Sequence, residues 1–160
     1  MVNNKEEWER LDSSVQSITV NGCDDYLNEV LDLSRFAELE ELTIGDGCFN
    51  YVSKVSVVGL KKLKSVEIGE KSFQNESTDS QLMVKNCPAL VSLKIGNQSF
   101  KGFKRFNLSE VDGLKSVMIG DECFKECDLV LRELRSVESV CVRSGSFEKS
   151  RHTVVESLIQ

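Results

Sequence analysis

The chain has 160 residues, 40% of them hydrophobic, with one proline and ten glycines. That suits a globular domain with a substantial core and excludes a collagen-like or low-complexity chain. A net charge of −6 argues against nucleic acid or an anionic membrane as the main partner, because phosphate contact needs concentrated Lys and Arg.

The first fourteen residues, "MVNNKEEWERLDSS", are polar and acidic and lack the basic start and apolar middle of a secretory signal. Within them "NNKEEWERL" has an asparagine start, an acidic first turn, and Trp8 and Leu11 on one face. Those features predict a short capping helix in a cap over 1–14. No run of 18 apolar residues follows, so no membrane insertion is expected. The short basic spots "KKLK" (61–64) and "KGFKR" (101–105) are broken by apolar residues and read as a solvated rim.

From Val15 onward the chain repeats. Phe49, Phe73, Phe100, Phe124 and Phe147 follow one another at steps of 24, 27, 24 and 23 residues. Five residues before each stands Ile44, Ile68, Ile95, Ile119 or Val142. Two before those come Leu42, Val66, Leu93, Val117 and Val140, and three earlier again Leu39, Leu63, Leu90, Leu114 and Val137. Each block reads L-x-x-L-x-I-G-x-x-x-F. A second alternating pattern follows each Phe, as in Val55, Val57, Leu60 and in Phe106, Leu108, Val111. The extra residues of the longest step fall in "QNESTDSQ" (74–81), after which the pattern resumes at Leu82. The first unit is weaker, with Asp25 where the Phe should stand and Tyr26 beside it to fill the space. Six units result: 15–38, 39–62, 63–89, 90–113, 114–136 and 137–160.

Period-two alternation in Val, Ile and Phe means strands with one buried face. Two such strands in about 24 residues leave no room for a helix of several turns. The predicted architecture is therefore a mostly β solenoid, a right-handed coil of six units with two short parallel strands in each. Equivalent residues should stack, the Phe column forming an internal ladder. Gly45, Gly69, Gly96 and Gly120 sit where the coil bends, where φ > 0 or close backbone approach is expected. Position 143 is Arg in the last unit.

The unit resembles the strand segment of leucine-rich repeats, and "IGDECFKEC" (119–127) resembles the I-G-x-x-A-F-x-x-C signature of the BspA-like type. That resemblance implies a solenoid and a role in protein interaction or adhesion. One departure stands out: the asparagine usual at the ninth position is replaced by Gly47, Lys71, Gln98, Glu122 and Gly145, so no buried asparagine ladder is expected.

Chemistry-bearing motifs are few. His152 is the single histidine and has no evident Ser and Asp partners. Asp46, Glu70 and Asp121 share the column after the glycine, broken by Asn97. A carboxylate column raises the alternative of a carbohydrate-active β-solenoid, with a solvated acidic rim as the plainer reading. The cysteines Cys23, Cys48, Cys87, Cys123, Cys127 and Cys141 occupy repeat-equivalent or core positions. They read as reduced thiols, Cys48 and Cys123 as tight packing. With the missing signal this favours a cytoplasmic chain, and a secreted or surface location if the sequence is a fragment. Sequons occur at Asn75, Asn97 and Asn107. Neither a cofactor nor a metal is implied, and no catalysis is expected.

The outward columns of the first sheet remain. One is Ser17, Glu41, Ser65, Ser92, Ser116 and Ser139, a nearly uniform serine column expected to support the sheet through local hydrogen bonds. The other is Thr19, Thr43, Glu67, Lys94, Met118 and Cys141, which changes in almost every unit. A varied column on a rigid sheet suits recognition of a protein partner. The candidate binding residues are thus Thr43, Ser65, Glu67, Ser92, Lys94, Ser116 and Met118, with Asp46, Glu70 and Asp121 at the bend. A structural spacer in a longer array is the alternative. An uncapped last coil ending at Gln160 also suggests self-association.

Overall fold

A computed structural model describes residues 1–22 and 29–156. The expectations for Cys23, Asp25, Tyr26 and Gln160 lie outside the described residues. The chain forms a short helix α1 (Lys5–Glu9) and twelve strands: β1 (Ser17–Val20), β2 (Val30–Asp32), β3 (Glu41–Ile44), β4 (Lys54–Val58), β5 (Ser65–Ile68), β6 (Gln81–Lys85), β7 (Ser92–Ile95), β8 (Arg105–Ser109), β9 (Ser116–Ile119), β10 (Asp128–Arg132), β11 (Ser139–Val142) and β12 (Thr153–Glu156). Odd strands make one six-stranded parallel sheet and even strands a second, each in the order of the units. Every predicted unit contributes one strand to each sheet, so the molecule is a parallel β-solenoid of six coils.

The register is the sequence alignment made physical. Thr19, Thr43, Glu67, Lys94, Met118 and Cys141 pair in succession across the first sheet. In the second sheet Leu31, Val55, Leu82, Phe106, Leu129 and Thr153 do the same. The long step leaves this register intact because its extra residues stay in the corner between Phe73 and β6. There Ser80 Oγ donates to Ser77 O at 2.7 Å, and Lys54 Nζ holds Asp79 at 2.8 Å. Gly102 makes room for this corner, since a Cβ there would lie 2.6 Å from Glu76 Cγ and 2.7 Å from Asn75 O.

Between the sheets runs the aromatic ladder. Phe73 and Phe100 stack at 4.5 Å and 5°, Phe100 and Phe124 at 5.1 Å and 3°, Phe124 and Phe147 at 5.2 Å and 8°. Such contacts contribute roughly 0.5–1.5 kcal/mol per pair beyond the area they bury. At the N-terminal end the ladder closes on Trp8, which meets Phe49 and Phe36 edge-on at 6.0 and 5.8 Å. Helix α1 presents Trp8 because Asn4 caps it, its side chain accepting from Glu7 N at 2.9 Å. Val2 bridges to Val20 and so covers part of the β1 edge.

The glycine column works differently from one of the two expected ways. None of Gly45, Gly69, Gly96 or Gly120 has positive φ. What they supply is proximity: a Cβ on Gly69 would lie 2.7 Å from Asp46 N, and one on Gly96 2.6 Å from the carbonyl carbon of Gly69. At this corner the left-handed residues come two and four positions later. They are Gly47, Lys71, Gln98, Glu122 and Gly145, then the Phe residues themselves, with φ between 47° and 73°. The Arg143 coil keeps the same corner, its N–H donating to Ile119 O at 2.9 Å as Gly120 does to Ile95 O. The ninth position that lacks asparagine is therefore the left-handed corner of each coil.

Lys71 is exposed at φ 55°. A side chain in that region costs about 1–2 kcal/mol, whereas glycine there gives back about 0.5–1 kcal/mol in backbone entropy. Lys71→Gly should raise stability by up to about 1 kcal/mol in urea denaturation, whereas Gly47→Ala should lower it by a similar amount. A loss on Lys71→Gly would show that the corner is not strained.

Candidate functional site

The outward columns of the first sheet form one surface. Thr43, Ser65, Glu67, Ser92, Lys94, Ser116 and Met118 all line a shallow depression of about 430 Å³, extended by Glu41, Ser139 and Cys141. The ladder places equivalent side chains of successive coils on neighbouring strands. Glu67 and Lys94, paired in register, form an ion pair at 2.9 Å with both side chains more than half exposed. Such a pair contributes about 0–1 kcal/mol to stability. Met118 is 40% exposed beside them. The depression thus presents a threonine, a carboxylate, an ammonium, a thioether and a thiol in a row.

The serine column was expected to support the sheet. Among the described residues, the hydroxyls of Ser65, Ser92 and Ser116 make no hydrogen bond with the protein, because the ladder already uses the backbone groups beside them. They are free for a ligand.

The residues after the glycine serve the turn. Asp46 Oδ1 accepts from Glu70 N at 2.7 Å, and Asn97 Oδ1 accepts from Asp121 N at 2.9 Å. Asn97 Nδ2 also donates to Glu70 Oε1 at 3.2 Å. The structure therefore brings Asp46, Glu70 and Asp121 into a hydrogen-bonded edge column shared with Asn97. Two of the three sequon asparagines are similarly engaged: Asn97 as above, and Asn75 through Tyr51 O and Ser77 N. Among the described residues no cluster of three metal-ligating side chains occurs, and no helix is long and apolar enough to cross a membrane.

Sequence reasoning missed a buried hydrogen-bond ladder. From Phe73 onward, the residue before each Phe reaches back to the preceding coil. Ser72 Oγ donates to Gly45 O at 2.9 Å and accepts from Cys48 N at 3.0 Å. Ser99 bridges Gly69 O and Ser72 N, and Ser146 bridges Gly120 O and Cys123 N. Cys123 Sγ donates to Gly96 O at 3.2 Å, and the Ser99 N–H it leaves turns to Gly96 O at 3.3 Å. This column, expected to be tight packing, is a polar seam between successive coils. The signal was present in the sequence as serine at three of the five positions directly before the repeated Phe, with cysteine at the other two.

Comparisons with family models, with curated proteins and with solved structures give no match. No relative supplies a role for any of these residues, so their chemistry must carry the reading.

Thiol chemistry separates the cysteines. Cys48, Cys87, Cys123 and Cys127 are buried and free, while Cys141 is exposed in the depression. Burial pushes the Cys87, Cys123 and Cys127 thiols up, and Asp128 raises Cys127 further. Thiolate is the reactive form, so maleimide labelling mapped by mass spectrometry at pH 7 should modify Cys141 far ahead of these three. Equal rates would contradict the burial. For the seam, Ser72→Ala leaves Cys48 N–H and Gly45 O without their partner and should cost about 2–3 kcal/mol. Ser72→Cys should cost less, since Cys fills this position in two coils. Equal losses would remove the hydrogen bond as the cause.

Proposed function

We propose that the chain is a non-catalytic binding module that docks a protein partner on the outward face of its first sheet. The observation that carries this reading is the depression over Thr43, Glu67, Lys94 and Met118, where side-chain type changes from coil to coil while the register is constant. A rigid ladder that varies only outside its core is suited to recognition through extended contact. The free hydroxyls of Ser65, Ser92 and Ser116 add hydrogen-bonding groups beside the exposed thioether of Met118, a residue type enriched at interfaces. The L-x-x-L-x-I-G-x-x-x-F unit, similar to BspA-like leucine-rich repeats, supports interaction or adhesion by analogy only.

We propose a second contact surface on the sixth coil. Val140, Val142 and Val155 occupy positions that are core-facing in the other coils, yet they are 53%, 45% and 62% exposed. Strand β11, at the edge of its sheet, carries no charge, whereas natural edges are usually covered or charged. We read this edge as a place for self-association. Sedimentation velocity across a hundredfold concentration range should show a rising sedimentation coefficient, reduced by Val140→Lys. A concentration-independent monomer would remove this surface.

For the sheet face, Glu67, Lys94 and Met118 are changed together to alanine. The ion pair is exposed and the thioether surface-lying, so stability should change by less than about 1 kcal/mol. Partners retained on the immobilised wild-type chain should bind the triple variant at least tenfold more weakly in surface plasmon resonance. Undiminished binding by every partner would rule out this face.

A further inference from the structure

The outward face of the second sheet also carries a site. Its central column runs Ser56, Met83, Asn107, Val130 and Val154 in register. A depression of about 250 Å³ opens over the last four of these. Asn107 is out of keeping there. Its Oδ1 is buried with no hydrogen-bond partner, a condition that costs free energy and calls for an explanation. Valine holds the two following positions of the column and methionine the preceding one, so the fold does not require an amide.

A second depression of about 390 Å³ adjoins the first, sharing Arg105 and Asp128 with it. Four basic residues line it, Lys104, Arg105, Lys149 and Arg151, against two acidic ones, Glu126 and Asp128. Four minus two leaves a local excess of two positive charges on a chain of net charge −6. Lys104 and Lys149 share Glu126 at 3.4 and 3.6 Å. Asp128 Oδ1 is taken by the His152 backbone N–H at 3.2 Å. Among the described residues, Arg105 and Arg151 have no carboxylate within ion-pair distance.

We infer that these joined depressions bind an acidic peptide segment, an apolar side chain lying over Met83, Val130 and Val154 while neighbouring carboxylates engage Arg105 and Arg151. Guanidinium forks fit carboxylates in two-point contact. The order of the surface, apolar beside cationic on an open sheet face, matches an extended chain carrying both features. Rotation of Asn107 into the depression lets its carboxamide take a peptide N–H, which relieves the buried acceptor. The site lies on the opposite sheet from the proposed protein-binding face and does not depend on that reading.

The probe is a fluorescein-labelled peptide with one leucine between two pairs of glutamates, titrated with the full chain in fluorescence polarisation. Binding should weaken with added salt and fall at least tenfold in the double variant Arg105→Gln, Arg151→Gln. Gln81 holds the same column as Arg105, so the fold accepts glutamine there. Asn107→Val should raise the urea midpoint yet weaken the peptide severalfold, an opposition that a purely structural residue would not show. The Glu67, Lys94, Met118 triple variant should bind the probe as the wild type does. The inference is overturned if the double variant binds undiminished, or if the wild type fails to bind the probe at millimolar concentration. It is equally overturned if a peptide with glutamine in place of glutamate binds as well, or if glutarate alone competes at the peptide's own concentration.

Discussion

The whole architecture depends on how closely one coil can lie on the next. Parallel ladders require the backbones of successive units to approach to about 4.8 Å along their whole course, corners included. At the first corner of the three central coils that distance leaves too little space for a Cβ, and Gly69, Gly96 and Gly120 sit against the backbone of the coil before them. Once the backbones are that close, the remaining corner residues must turn sharply. They do so by entering the left-handed region at Lys71, Gln98 and Glu122 and again at each ladder Phe. Strain at the corner and order in the sheets are two sides of one geometric demand.

The same closeness organises the interior. Rings that repeat every coil must stack, and they do so almost parallel from Phe73 to Phe147. Polar backbone groups turned inward at the corner are shielded from water and need partners. The hydroxyls of Ser72, Ser99 and Ser146 meet that need from the neighbouring coil, so each unit completes the hydrogen bonding of the one before it. Charged side chains on the rim follow the pattern, as in Lys64 with Glu40 or Lys94 with Glu67 one coil away. Cohesion in this molecule is between units rather than within them.

This explains what could be read from the sequence. In-register stacking turns a spatial column into a sequence period, so strands, core and the composition of the sheet face are all legible in the sequence. The capping helix was legible too, from Asn4 and Trp8. Backbone dihedrals were not: Lys71, Gln98 and Glu122 are ordinary residues that carry no mark of a left-handed conformation. Nor was the difference between two serine columns. Ser65, Ser92 and Ser116 looked structural and face a depression, whereas the column read as packing at Cys48 and Cys123 places Ser72 and Ser99 to hold the corner together. The face of the second sheet went unread because the oddity of Asn107 appears only when Met83 and Val130 are seen on either side of it.

The corner between Phe73 and β6 has a consequence for the evolution of such a chain. Three residues more than in the neighbouring 24-residue units are accommodated there, yet Leu82 faces Val55 and Phe106 as though nothing had been added. Length at that corner is uncoupled from order in the sheets. A lineage could therefore lengthen or exchange this segment, and with it the outline of one flank, while the remaining coils keep their form.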